Sequence, residues 1–263
     1  MQLIDIGANL THVSFEQDFE QVLLAARDVG LSHIILTGTD LETSQASRLM
    51  TLEKPDFFSS TAGFHPHVAK DVTDDDFAAL AEIAKQLEVV AVGETGLDYN
   101  RNFSPREDQL RIFQQHLELA TELKKPLFLH QREAHEDFIG LLRQYRSEVS
   151  GGVVHCFTDN EQALKDYLDL DMYIGITGWI CDERRGVELQ TLVKEIPDNR
   201  LLIETDAPYL LPRSIRPKPK SRRNEPRHLT EVLRVVANCR GQSESEVAQN
   251  TYRNTLRLFQ IEK

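Results

Sequence analysis

The chain has 263 residues, 40% hydrophobic and 27% charged, with a formal net charge of −12, enough for a full core and the ordinary size of one (β/α)8 domain. No apolar stretch reaches the length of a membrane span, and Met1-Gln2-Leu3-Ile4-Asp5 runs straight into a strand-like pattern with no signal-peptide character, so a cytoplasmic protein without a membrane partner is expected. The acidic balance alone argues against a nucleic-acid partner, and three cysteines (Cys156, Cys181, Cys239) without metal-finger spacing argue against a disulfide framework.

Short apolar runs and helix-period segments alternate along the whole chain. Strand-like runs fall at residues 3–6, 33–36, 58–62, 89–92, 127–129, 153–154, 173–176 and 201–203. Helices are expected at 15–29, 105–123, 134–145, 160–168 and 184–195. In the longest of these, Leu110, Phe113, Leu117 and Ala120 recur at spacings of three and four, a stripe that faces a core. Ser104-Pro105 before it places proline at the first helical position. Alternation with short links implies a parallel sheet. Eight units in this length suit a closed (β/α)8 barrel, a single domain over residues 1–263. A last helical stretch at 244–259 is expected to pack on the outside. Residues 208–226, rich in proline and arginine, form the longest irregular segment, and loops of that length are usually functional or mobile.

Four of the apolar runs end in residues able to hold a metal. Val89-Val90-Ala91-Val92-Gly93 leads to Glu94, Leu127-Phe128-Leu129 to His130, Gly152-Val153-Val154 to His155, and Leu201-Leu202-Ile203-Glu204-Thr205 to Asp206. A lone histidine at a strand end is more often a hydrogen-bonded structural residue. Four such groups at the C-terminal ends of strands four, five, six and eight point instead to a divalent metal at a barrel mouth, where sites of this fold lie, since burying them unpaired would be costly. Imidazole with carboxylate suits a metal that activates water. Asp206 can bind metal, orient the attacking water and accept its proton, because a carboxylate beside a cation is held ionised. Glu204 shares its face but sits deeper, which makes it the weaker candidate base. His65-Pro66-His67 follows the third strand. An H-x-H pair can ligate metal, but with ligands already supplied, a substrate or leaving-group role is preferred for His65.

Seven basic residues (Arg213, Arg216, Lys218, Lys220, Arg222, Arg223, Arg227) crowd the segment after Asp206, opposed there only by Glu225. Charged segments of this kind are usually solvated faces. Beside a proposed metal, phosphate binding is the better reading, because guanidinium pairs with phosphate through a planar fork. Arg132, leaving the fifth strand two residues after His130, is a second candidate.

Together these motifs resemble the TatD family of metal-dependent nucleases, within the amidohydrolase-like barrels. The matching segments are Gly63-Phe64-His65-Pro66-His67, Gly93-Glu94-Thr95-Gly96-Leu97-Asp98-Tyr99, Leu129-His130-Gln131-Arg132 and Val154-His155-Cys156-Phe157. They continue through Ile174-Gly175-Ile176-Thr177-Gly178-Trp179, Ile203-Glu204-Thr205-Asp206-Ala207-Pro208-Tyr209 and Arg222-Arg223-Asn224-Glu225-Pro226, so the resemblance spans essentially the whole chain. It implies Mg2+- or Mn2+-dependent hydrolysis of phosphodiester bonds, with 3′-to-5′ exonuclease action on single-stranded DNA and on RNA. It also implies that Glu94, His130, His155 and Asp206 form the metal site, with Glu94 and Asp206 catalytic and His65, His67, Arg132, Arg222 and Arg223 toward substrate. Zn2+ is a further candidate occupant, because two imidazoles soften the ligand set.

The chain departs from many relatives at one place. Where they carry Asp-x-His-x-His, this sequence reads Asp5-Ile6-Gly7-Ala8-Asn9, a form shared by the subgroup nearest the family's bacterial founding member. The expectation is one firmly bound metal, with a second only in the presence of substrate. Two rival readings are a small-molecule amidohydrolase or lactonase, and a non-catalytic nucleic-acid binder with a structural metal. The first usually has a carboxylated lysine where Glu94 stands. The second leaves a water-activating carboxylate without a purpose. A monomer is expected.

Overall fold

The computed structural model describes residues 1–262. Eight strands pair in parallel and in chain order: β1 (Leu3–Ala8), β2 (Leu31–Leu36), β3 (Phe58–Ala62), β4 (Val89–Asp98), β5 (Leu127–Arg132), β6 (Gly152–Val154), β7 (Tyr173–Ile176) and β8 (Leu201–Ile203). Just past β8 the chain returns to β1. The Asp206 amide donates to the Gly7 carbonyl at 2.8 Å, the Asn9 amide donates to the Ala207 carbonyl at 2.7 Å, and Ala8 and Ala207 form a parallel bridge. Helices α1 (Phe19–Asp28), α2 (Leu41–Glu53), α3 (Asp74–Ala84), α4 (Arg106–Leu123), α5 (His135–Tyr145), α6 (Glu161–Asp169), α7 (Val187–Leu192) and α8 (Leu229–Arg240) alternate with the strands, and α9 (Glu244–Phe259) ends the fold. The architecture is a (β/α)8 barrel. No helix among the described residues is long and apolar enough to cross a membrane.

Apolar residues dominate most of the strands because both of their faces are buried, although Asp5 interrupts β1, Ser32 and His33 interrupt β2, and Ser59, Ser60 and Thr61 fill the middle of β3. Ile4, Ile6, Ile35, Ala91, Phe128, Val153, Tyr173 and Leu202 form one cluster, the barrel interior. Their strand neighbours Leu3, Ile34, Leu36, Val92, Leu127, Leu129 and Val154 join the apolar faces of the helices in the other. Full burial of each such side chain contributes roughly 1.5–3 kcal/mol.

Four differences from the sequence-based expectation have physical causes. First, α9 does not join the outer ring: Leu258 and Phe259 belong to the barrel-interior cluster, and Leu258 lies against Gly151 at the start of β6. The helix therefore covers the N-terminal end of the barrel. Second, α1 begins at Phe19, because residues Val13–Phe15 form a 3-10 turn capped by the His12 side chain. Third, α2 escapes apolar periodicity, because the residues it buries are Ser44, Ser47 and Thr51. Fourth, β4 and β5 run beyond residues 92 and 129. Thr95, Gly96, Leu97 and Asp98 pair with Leu129, His130, Gln131 and Arg132, after a register shift between Gly93 and Thr95. Glu94 sits in that irregularity, a feature that re-aims a side chain.

Candidate active site

The C-terminal mouth of the barrel holds a cavity of about 860 Å³, within the roughly 300–1,000 Å³ typical of ligand sites. Glu94 lies at its base, 5% exposed. One of its oxygens, Oε1, faces three imidazoles: His155 Nε2 at 2.8 Å, His130 Nδ1 at 3.1 Å and His65 Nε2 at 3.3 Å. Strands β4 and β5 and the segment after β6 deliver the first three of these residues, and the turn after β3 delivers His65.

The charges follow from this packing. Burial alone would raise Glu94, but His155 and His65, with hydrogen bonds from His130 and His155, hold it well below the usual carboxylate range. Burial opposes charge on His155, yet Glu94 and Glu204 raise it well above the ordinary imidazole value. His130 is raised against burial by Asp98 and Glu94. His65 behaves oppositely: burial lowers it to about 4. Its Nδ1 accepts from the His67 amide at 3.1 Å, so in the neutral ring Nε2 carries the proton and donates toward Glu94.

These contacts test which residues fit a metal. Ligand atoms of His65, Glu94 and His130 all lie within 4.8 Å of one another. His65 is nevertheless the poorer ligand, because metal at Nε2 would need the proton on Nδ1, where the His67 N–H already points. His155 fits well. Glu204 Oε2 lies 3.4 Å from its Nδ1, the carboxylate–imidazole arrangement that leaves Nε2 for an ion. His130 Nε2 is buried without a hydrogen-bond partner, its neighbour Asp98 Oδ2 standing 3.5 Å away. The donor set therefore suits a divalent cation.

Asp206 lines the same cavity and accepts from Asn9 Nδ2 at 3.1 Å. Burial pushes it up to about 7, against the pull of His155 and with the help of Glu94 and Glu204. Without a cation beside it, burial first and the two carboxylates second thus work against its ionised form. Glu204 is deeper and fully buried. Its Oε1 accepts from the Cys156 amide at 2.6 Å, which ties the residue after His155 to the floor of the site.

His67 and Arg132 line the cavity; Arg222 and Arg223 do not. The Arg223 guanidinium is taken up by Asp18, at 2.8 and 2.6 Å, by Glu225 at 2.9 Å and by the Ser14 carbonyl. It orders the loop and has no fork left for a phosphate. The basic segment is also less positive than its sequence, because Arg213 pairs with Glu183 and Asp182, and Arg227 with Glu225.

Two residues of the site escaped the sequence reading as functional groups. Asp98 accepts from His67 Nε2 at 2.8 Å and from the Asn100 and Arg101 amides. His130 and His67 hold it below the usual range in spite of burial. Asn9 holds Asp206. The parity of residues 94 and 98 on an extended strand was the available signal for Asp98. Asn9 stands where many relatives carry a histidine, but nothing local marks its hold on Asp206, which is far away in the chain.

A family model described as TatD related DNase matches residues 4–260. The 3′-5′ ssDNA/RNA exonuclease TatD of Pectobacterium parmentieri (strain WPP163) is 49% identical over 259 residues, covering 98% of this chain and 100% of the relative. The protein of the same name from Dickeya dadantii (strain 3937) is 46% identical over 257 residues, covering 98% and 97%. Among solved structures, a hydrolase TatD family protein from Entamoeba histolytica superposes with a TM-score of 0.89 at 28% identity, covering 98% of each chain. A TatD homologue from Escherichia coli K12 gives 0.89 at 28% identity, covering 99% and 98%.

Proposed function

The chain belongs to the TatD-related DNase family of hydrolases, and from that premise we propose a divalent-metal-dependent exonuclease that removes nucleotides from the 3′ end of single-stranded DNA and RNA. The observation that carries this reading is the Glu94 carboxylate ringed by His65, His130 and His155 in a cavity that Arg101 and Arg132 also line. Residues 1–263 act as one catalytic domain, a cytoplasmic monomer.

Glu94, His130, His155 and Asp206 would hold the ion, Mg2+ or Mn2+ with Zn2+ as a further occupant. A divalent cation there supplies Lewis acidity toward a phosphoryl oxygen and makes water a nucleophile near neutral pH. One ion would be held firmly, and a second only when substrate phosphate adds oxygen ligands, because Gly7 brings none and Asn9 is engaged with Asp206.

The side chains divide the remaining work. Asp206 accepts the proton of the attacking water, since a carboxylate beside a cation is held ionised and can serve as a base. Glu204 orients His155 and the Cys156 amide. Neutral His65 presents its Nε2 proton beside Glu94, suited to a phosphate or leaving-group oxygen. His67 stands beside it, oriented by Asp98. Arg132 pairs with substrate phosphate at the rim, Arg222 with phosphates further out, and Arg223 supports that loop.

The test uses end-labelled single strands incubated separately with Mg2+, Mn2+ and Zn2+. Stepwise loss of mononucleotides from the 3′ end, abolished by chelator, is expected. Internal cuts, digestion from the 5′ end, or activity only on small amides and lactones would each defeat the reading.

A further inference from the structure

Phe103 and Tyr209, at 55% and 52% exposure, are the only exposed aromatic side chains among the described residues. The chain has twelve phenylalanines, six tyrosines and one tryptophan, and the two left outside both line the site cavity. Single apolar side chains at a surface are ordinary. Two rings converging on one cavity are not explained that way.

Their positions are complementary. Phe103 lies between β4 and α4, and Tyr209 lies in the loop after β8. In an eight-stranded barrel of sequential order, β4 and β8 stand across the mouth from each other. The reacting groups lie between them: Glu94 on β4, and Asp206, whose carbonyl accepts from the Tyr209 amide at 2.9 Å. Each ring meets an imidazole nearly at right angles. His67 meets Phe103 at 4.7 Å and 72°, and His12 meets Tyr209 at 6.0 Å and 77°. Trp179 also lines the cavity, but the Arg185 guanidinium sits over its ring at 4.3 Å. Trp179 is partly buried, so the rings left exposed at the mouth, among the described residues, are those of Phe103 and Tyr209.

Planar rings on both sides of a centre whose donor set suits a divalent cation match a ligand with planar heterocycles on both sides of a phosphate. We propose that Phe103 and Tyr209 are the base-stacking platforms of this site, one for the base on each side of the scissile phosphate. This rests on the nuclease reading above. The arrangement explains selection of unpaired strands. A base in a duplex already has both faces stacked and must leave the helix before a protein ring can take one, whereas a terminal single-stranded base is free to do so.

The experiment measures kcat/KM on a single strand with all its bases, and on the same strand carrying an abasic residue at the terminal or the penultimate 3′ position. Wild type is compared with Phe103→Ala, Tyr209→Ala, Phe103→Leu and the ring-preserving Phe103→Tyr and Tyr209→Phe. Each alanine variant should lose about 5- to 150-fold, mainly through KM, the range of one base–aromatic stack. Phe103→Leu should lose as Phe103→Ala does, and the ring-preserving variants should keep the wild-type value. Wild type should lose comparably on each abasic strand, and each alanine variant should suffer no further loss at one of the two abasic positions. Thermal midpoints should match wild type, since both rings are more than half exposed. Alanine variants that stay as sensitive to abasic residues as wild type, or full activity in Phe103→Leu, overturn the stacking role while leaving the nuclease reading intact. A wild-type enzyme that releases nothing from any strand overturns both.

Discussion

Gly7 offers a worked test of how the floor of the site is built. Its backbone is ordinary, so the cost of a side chain there is one of space. A Cβ at this position would stand 2.6 Å from Glu204 Oε2 and 3.0 Å from Phe128 Cζ. On the other side of the same carboxylate, a Cβ on Gly175 would stand 2.7 Å from Oε1. Two glycines on neighbouring parts of the barrel thus make the slot for Glu204. Ordinary contact begins near 3.4 Å, so Gly7→Ala must move the carboxylate by several tenths of an ångström. That stretches its 2.6 Å bond from the Cys156 amide and its 3.4 Å contact with His155. Overpacking costs about 1–3 kcal/mol, and weakening a charge-assisted bond costs up to about 1.5–3 kcal/mol. The variant should therefore lose about 2–5 kcal/mol. At roughly 2 °C per kcal/mol for a domain of this size, its midpoint should fall by about 4–10 °C. Thermal unfolding followed by circular dichroism in chelator measures this. The discriminating arm is Glu204→Ala, which removes the group the new methyl strikes. In that background Gly7→Ala should cost less by about 0.5–3 kcal/mol, the coupling expected of touching residues. An equal cost in both backgrounds would refute the slot. A histidine at position 7 would likewise displace Glu204 rather than restore a second metal site.

Further outcomes concern the metal-site carboxylates and the arginines. Glu94→Ala should abolish hydrolysis while circular dichroism shows a retained fold, and wild-type rates in excess Mg2+ or Mn2+ would sink its assignment. Asp206→Asn should slow the single-turnover step by about 10²–10⁴-fold, whereas a loss confined to affinity would make Asp206 a binding residue. The metal-free protein gives Asp206 a second readout. Its folded value of about 7 lies above the ordinary 3.8, with burial the largest cause. Its contribution to stability is therefore present below about 3.8 and lost as pH rises through about 7. Asp206→Asn should accordingly unfold later than wild type at roughly pH 8 and show no such gain at about pH 4. Lastly, in salt titrations of single-strand binding by the inactive Glu94→Ala protein, adding Arg132→Ala or Arg222→Ala should flatten the log–log slope by about 0.7. Arg223→Ala should leave the slope unchanged and lower the unfolding midpoint, because its guanidinium serves Asp18 and Glu225. A slope change on Arg223→Ala would return that residue to the phosphate site.

Local pattern determined the barrel and the chemistry of its mouth. Strands buried on both faces are largely apolar, so eight short runs between helical segments were legible without coordinates, even though β3 is mostly serine and threonine. Ligand-type residues at the ends of such runs were legible too, because chain direction alone puts them at one end of a parallel barrel. What only the tertiary structure decided depends on partners remote in sequence. The apolar stripe of α9 looked like any outer helix until Leu258 and Phe259 met the barrel interior. Arg223 looked like a free phosphate ligand until Asp18 took its fork. His65 and Asn9 acquired their neighbours through the turn after β3 and the closure of β1 on residues 206–207. The exposure of Phe103 and Tyr209 is likewise a statement about what does not cover them. Periodicity records which face of an element is buried, but hydrogen-bond geometry, the protonation of a buried group and the space left by a glycine are set by atoms that arrive from elsewhere in the chain.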